Sequence, residues 1–298
     1  MKRDNMFQRE GTMKQAEREH WNFFLITFVF SWGLWSIPIL SGLDMSHPLT
    51  IVCFALGGIA PSTTGIILAK TRSCRKYWKD FLGRVLNVRQ ISLSWWGIML
   101  IIIPFTTAVA VLAWYCITGS MPEFETLKKF LANPLSIIPF ALFMFIFGPV
   151  PEEIGWRGYA LDHLERKYPR VTASMILGFF WMMWHIPMFM ISGTYQYGLL
   201  QESPWLMLDF MIQFYPLSII MDWIYHNTRR SILSGVMFHF FINFFGEFID
   251  IPGDIKFYRT GVQIILALII IAVWSVEKRK IDNITRPEFQ RSKGQKIS

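Results

Sequence analysis

The chain has 298 residues, 53% of them hydrophobic and 16% aromatic, which is too apolar for a soluble domain of this length. Its net charge of +8 would suit nucleic acid, but the basic residues sit in short segments between apolar runs. That is the distribution of topology signals and lipid-facing charge, and it excludes a nucleic-acid partner. The three cysteines, Cys53, Cys74 and Cys116, show neither metal nor redox spacing, and an odd number gives no disulfide framework.

In chain order, residues 1–20 are polar and charged and read as a cytoplasmic leader or surface helix. They do not read as a signal peptide, because the apolar run that follows approaches spanning length and no small-residue cleavage site is clear. Eight apolar runs come next, at about 21–41, 50–69, 94–118, 134–156, 171–191, 205–225, 231–248 and 260–276, each near the ~20 residues that a bilayer core requires. Residues 278–298 form a basic cytoplasmic tail. Residues 21–277 therefore read as a single membrane domain. The fold class is an all-α polytopic membrane protein, with about eight transmembrane helices around a polar cavity.

The loop charges support the count. Of 29 Lys and Arg, 25 fall in alternate segments, and only Lys128, Lys129, Lys256 and Arg259 fall in the others. The positive-inside rule then gives a multi-pass protein of the cell membrane with both termini cytoplasmic; a bacterial plasma membrane is the preferred location. The segment 70–89, with Tyr77, Trp78 and Phe81 between basic residues, reads as an amphipathic helix lying on anionic lipid.

The chemistry centres on Pro151-Glu152-Glu153-Ile154-Gly155-Trp156-Arg157 at the end of the fourth run. Ionisable groups at membrane depth are expensive and imply function. Arg157 lies four residues past Glu153, on the same helix face, and holds it. Glu152 projects about 100° away and is left available. Of six histidines, His20, His47, His163 and His226 fall in loops or flanks, and only His185 and His239 lie well inside runs. Asn243 follows His239 by one helical turn. Each feature alone is compatible with structure: a histidine between helices, an amide as interhelical glue worth about 0.6 kcal/mol, a surface ion pair. Together they describe a site. Asp209 and Asp222 in the sixth run read as structural, Asp222 meeting Arg229 or Arg230.

A carboxylate shielded from water serves as general base. Two imidazoles and an amide position water or stabilise an oxyanion. Glu152, His185 and His239 would equally suit a zinc ion with an open fourth position. Either way the reaction is attack of water on an acyl carbon. Pro187 after His185 frees a carbonyl and kinks the fifth run, and Pro151 suits the first turn of a new helix, with both glutamates near its positive end.

Glu152-Glu153-x-x-x-Arg157, then aromatic-x-x-x-His at Trp181 and His185, then His239-x-x-x-Asn243, resembles the CPBP intramembrane proteases over about residues 134–246. That family includes CAAX prenyl proteases and bacteriocin-processing or self-immunity (Abi) proteins. Its second motif usually begins with Phe, where this chain has Trp181. The resemblance implies an endopeptidase acting on a membrane-associated polypeptide, prenylated or leader-bearing. Glu152 would activate water, Glu153 and Arg157 would support it, and His185, His239 and Asn243 would orient water or stabilise the oxyanion. It fixes no cofactor, with zinc the candidate, and leaves the oligomeric state open. The rival readings are a membrane scaffold or bacteriocin-immunity protein without catalysis, or a transporter using the same groups as a proton relay; no half-chain symmetry favours a transporter.

Two geometric expectations follow. The cavity should open to the cytoplasm, because Glu152 lies nearer that end of its run. His185 lies about 21 Å into the fifth run at 1.5 Å per residue. For Glu152 to meet it, the fourth run must extend to about residue 160 or the fifth must start later.

Overall fold

A computed structural model describes the backbone of residues 2–71 and 74–294 and the side chains of 21–71 and 74–276. The chain is 85% helical, with no strand among the described residues. Eight helical stretches are long and apolar enough to cross a membrane: Trp21–Ser41, Pro48–Thr71, Leu93–Thr118, Pro134–Leu164, Arg170–Met190, Pro204–Asn227, Ile232–Ile249 and Gly253–Val276. The expected count stands. Two bounds move: the fourth span runs eight residues further than read, and the eighth begins seven residues earlier. The side chains of the leader 1–20, with His20, and of the tail 278–298 lie outside the described residues.

In order, the helices are α1 (Lys2–Ser41), α2 (Pro48–Gly58), α3 (Ala60–Thr71), α4 (Arg75–Leu86), α5 (Leu93–Thr118), α6 (Glu125–Ala132), α7 (Ile137–Ile146), α8 (Pro149–Gly155), α9 (Leu161–Leu164), α10 (Arg170–Trp184), α11 (Tyr195–Glu202), α12 (Pro204–Ile212), α13 (Phe214–Asn227), α14 (Ile232–Ile249) and α15 (Gly253–Gly294). Burial is inverted relative to a soluble protein. Val29, Leu112 and Ile265 are each at least 60% exposed, while Glu153, Arg157 and Asp222 are fully buried. Such a surface is stable only against hydrocarbon, with the polar groups satisfied inside.

Four spans are broken, and the breaks position the site. The second changes helix at Ile59, the fifth passes into a 3₁₀ turn at Ile186–Met190, and the sixth is interrupted at Gln213. The fourth breaks at Gly148 between α7 and α8, then widens through a π-helical turn, Trp156–Ala160, before α9. That continuation supplies the extra length the sequence required of this span. Small residues let α8 lie directly on α3: a Cβ on Gly155 would come within 2.1 Å of the Pro61 carbonyl oxygen. Close backbone approach of this kind is the usual basis of helix association in membranes. The Ser62 hydroxyl donates to the Val150 carbonyl at 3.0 Å.

One face of the bundle carries the connections 74–92, 165–169 and 228–231. Here α4 corrects the surface-helix expectation: it is amphipathic, but its apolar face meets protein. Phe81 is fully buried and lies 3.0 Å from the position a Cβ would take on Gly158. Arg84 inserts its guanidinium, with Nη2 2.7 Å from Asp162 Oδ2 and Nη1 2.6 Å from the Tyr225 hydroxyl. Arg230 joins from the left-handed turn Arg229–Arg230, with Nη2 2.5 Å from Asp162 Oδ1. So Arg230 pairs with Asp162, not with Asp222 as the sequence suggested, because Asp222 is fully buried and faces the interior. His163 and His226, read as loop or flank residues, both lie in helices. His163 is buried in α9 and stacks on Tyr159 with ring centroids 4.0 Å apart; His226 Nε2 lies 2.6 Å from Glu165 in the last turn of α13. His47 does lie outside the spans, capping α2 through Nδ1.

Candidate active site

Gly148 ends α7, and Pro149 opens α8 at a position that needs no backbone donor. Glu152 therefore stands in the first turn of a new helix, at its positive end. Arg157, one turn past Glu153, is fully buried. Its Nη1 lies 3.1 Å from Glu153 Oε1 and 3.0 Å from Oε2, Nη2 donates to the Ser218 hydroxyl at 3.3 Å, and Nε faces Asp222 at 3.4 Å. The expected Glu153–Arg157 pair is present, and Asp222 and Ser218 complete it from α13. A buried arginine needs several acceptors because all its donors are fixed in one plane.

His185 follows the last turn of α10. Its backbone N–H turns to the Met182 carbonyl at 3.0 Å, which leaves the Trp181 carbonyl free. The His185 ring fills that vacancy, with Nδ1 2.8 Å from the Trp181 oxygen. A carbonyl only accepts, so Nδ1 carries the proton and Nε2 keeps its lone pair in the neutral ring. His239, on α14, is fixed the same way, with Nδ1 2.8 Å from Glu153 Oε1. Both imidazoles are thus oriented from behind.

Trp181 is the residue sequence reasoning undervalued. Its Nε1 donates to Glu152 Oε2 at 2.7 Å, and its ring lies 4.5 Å below the Arg157 guanidinium and 5.1 Å from the His239 ring. So Glu152, read as unconstrained, is held by an indole. The signal was in the sequence: Trp181 precedes His185 by four residues and so shares its face. The indole N–H is what a phenylalanine at this position would lack.

Glu152, Trp181, His185, His239 and Asn243 line a single cavity of about 380 Å³. Glu153 and Arg157 stand behind it. Gly148 lets the Asn243 amide approach the helix break, since a Cβ there would lie 2.7 Å from Asn243 Nδ2. From Glu152 the cavity runs to Tyr195, Gln196, Glu247 and Arg259, at the face formed by connections 42–47, 119–133, 191–203 and 250–252. Toward the other face it is closed by buried Trp156, Arg157 and Tyr159. The first span begins and the eighth span ends at the closed face, so an opening on the cytoplasmic side would put those span ends on the other.

The side chains of Glu152, Glu153 and His239 bring ligand-type atoms within 4.8 Å of one another. This differs from the set read from the sequence: Glu153 replaces His185, which is turned by its bond to the Trp181 carbonyl. Within the trio, Glu153 Oε1 already accepts from His239 and Arg157, while Oε2 is buried without a hydrogen-bond partner.

Two comparisons bear on this geometry. Residues 134–245 match the Rce1-like family, described as type II CAAX prenyl endopeptidases. The chain is also 31% identical over 250 residues to CAAX prenyl protease 2 of Methanococcus maripaludis, covering 84% of this chain and 92% of that protein. The matched segment contains every residue from Glu152 to Asn243 that the helix breaks bring to the cavity, and with a relative similar along nearly its whole length the chain belongs to the Rce1-like family of CAAX prenyl endopeptidases, as a multi-pass membrane protease.

Proposed function

We propose that the chain cleaves near the C-terminus of a prenylated, membrane-tethered polypeptide, with Glu152 as the general base. The observation that carries this is the Glu152 carboxylate, fixed by the Trp181 indole at 2.7 Å in a cavity it shares with His185, His239 and Asn243. The substrate class is taken from the relative named as a CAAX prenyl protease. Apolar walls suit it: Met144, Phe147, Phe210 and Phe214 line the same cavity.

In the reaction, Glu152 takes a proton from water while the oxygen attacks the scissile carbonyl carbon. With Nδ1 committed, each imidazole turns Nε2 to the water, which in the neutral ring orients it by accepting from it. The donor for the developing oxyanion is the Asn243 amide, the one cavity-lining member of the set with free N–H groups. The proton held by Glu152 then passes to the leaving amine. Glu153 and Arg157 act through His239 and Trp181 and touch no substrate. No step in this sequence draws on a metal.

The test is cleavage of a quenched fluorescent peptide carrying a prenylated cysteine near its C-terminus, by purified protein in detergent. Glu152→Gln and His239→Ala should each lower kcat/KM by about 10²–10⁴, and a chelator should leave the wild type unchanged. Activity lost to chelator and restored by zinc would overturn the metal-free reading. Full activity in Glu152→Gln would overturn the base.

A further inference from the structure

Asp222 is a second acid on one buried arginine. A single carboxylate, Glu153, already balances the Arg157 charge. Asp222 on α13 is also fully buried, and its Oδ1 lies 3.4 Å from Arg157 Nε. Its Oδ2 has no hydrogen-bond partner among the described residues. The other charged groups near it, His226 and Glu165, pair with each other at 2.6 Å. Among the described residues, Arg157 is the only cation within 4 Å of Asp222. A buried carboxylate that neutrality does not require is costly at membrane depth, and such a group marks function.

The geometry points to its role. Ser218 and Asp222 lie one turn apart on α13 and accept from two sides of one guanidinium, Nη2 and Nε. The guanidinium is a rigid plane, so acceptors on both sides fix its orientation. Its third side bonds Glu153, which orients His239, and its face lies on Trp181, which holds Glu152. The same part of α13 rests on α10. Ser174, Gly178, Trp181 and His185 recur at helical spacing down one face of α10 and its C-terminal cap. The Ser174 hydroxyl faces the Asp222 carboxylate. At Gly178 the two helices come so close that a Cβ would lie 3.2 Å from Ser218 Cβ. We propose that Asp222 is a positioning residue: it fixes the plane of Arg157, and through that plane it registers His239 and Glu152 on one another. Neither Asp222 nor Arg157 lines the cavity, so its effect falls on the chemical step and not on binding. This deepens the function proposed above and rests on it.

The experiment measures kcat and KM separately on the quenched prenylated peptide, with melting temperatures in the same detergent. Asp222→Asn keeps the shape and removes the charge. It should lower kcat by about 10- to 100-fold, the scale of a hydrogen bond between charged groups, and leave KM within about twofold. Asp222→Glu restores the charge and should recover part of kcat. Ser218→Ala frees the other side of the same guanidinium, so Ser218→Ala/Asp222→Asn should lose no more than Asp222→Asn alone. Losses that multiply would mean that the two residues act separately and would overturn the shared plane. A raised KM with kcat intact would place Asp222 in substrate binding, and a lower melting temperature with kcat intact would reduce it to a structural residue; either overturns the proposal. If Asp222→Asn does not fold, Ser174→Ala decides, since it leaves the ion pair whole. It should lower kcat by about 5-fold at unchanged KM, and full activity there would leave Asp222 a structural role alone. No cleavage by the wild type would overturn the proposed function, and this inference with it.

Discussion

At the scale of single residues, Trp181 shows how one ring serves three neighbours. Its N–H holds Glu152, its face covers Arg157 and its edge meets His239. Replacing it with Phe keeps the apolar contacts and removes one hydrogen bond. Trp181→Phe should fold normally and lose about 10-fold in kcat/KM, the scale of a hydrogen bond to a charged group. An unchanged kcat/KM would mean that the indole packs without positioning. Asn243 is different in kind. No local signal beyond its spacing from His239 distinguishes it, yet its amide lies where Gly148 leaves room.

At the scale of elements, the site depends on helices that stop. Gly148, the π turn and the 3₁₀ segment after His185 each interrupt a span and release backbone groups at membrane depth. This is tolerated because the freed groups find partners inside the protein: Ser62 meets Val150 and the His185 ring meets Trp181. The glycines at these breaks divide by what a methyl group would strike. Gly155 faces Pro61 backbone at 2.1 Å, whereas Gly148 faces the end of the Asn243 side chain at 2.7 Å. Backbone cannot yield, but an amide can turn. Gly148→Ala should keep a near-wild-type melting temperature in detergent and lose 10-fold or more in kcat, about the effect of a misplaced catalytic group. Gly155→Ala should instead lower the melting temperature, because α3 and α8 must separate. Equal thermal effects would contradict this division.

For the whole molecule, the cavity opens at the face opposite the start of the first span and the end of the eighth. The network of buried Arg84, Asp162 and Tyr225 with exposed Arg230 caps the face that carries the basic loops. Tyr195, Gln196 and Arg259 stand at the other. In a variant whose native cysteines are replaced, single cysteines restored at Cys74 or introduced as Ser120→Cys should label from opposite sides of sealed vesicles with an impermeant maleimide. The side that labels Ser120→Cys should be the one from which a soluble competitor peptide inhibits. Inhibition from the Cys74 side would show that substrate reaches Glu152 by another path.

The sequence by itself determined the number of spans, the alternation of charge between the two faces, and the identity of the polar residues gathered at one depth. These follow from the bilayer as solvent, which makes each run and each intramembrane charge legible one segment at a time. It also determined the Glu153–Arg157 pair, because that contact lies within one helical turn. Only the tertiary structure decided that Asp222 completes Arg157, that Arg230 turns to Asp162, that Glu153 stands beside His239 where His185 was expected, and on which face the cavity opens. Each of these joins residues separated by tens of positions. Their partners are chosen by which helices break and how closely their glycines let them approach, and no local pattern records that choice.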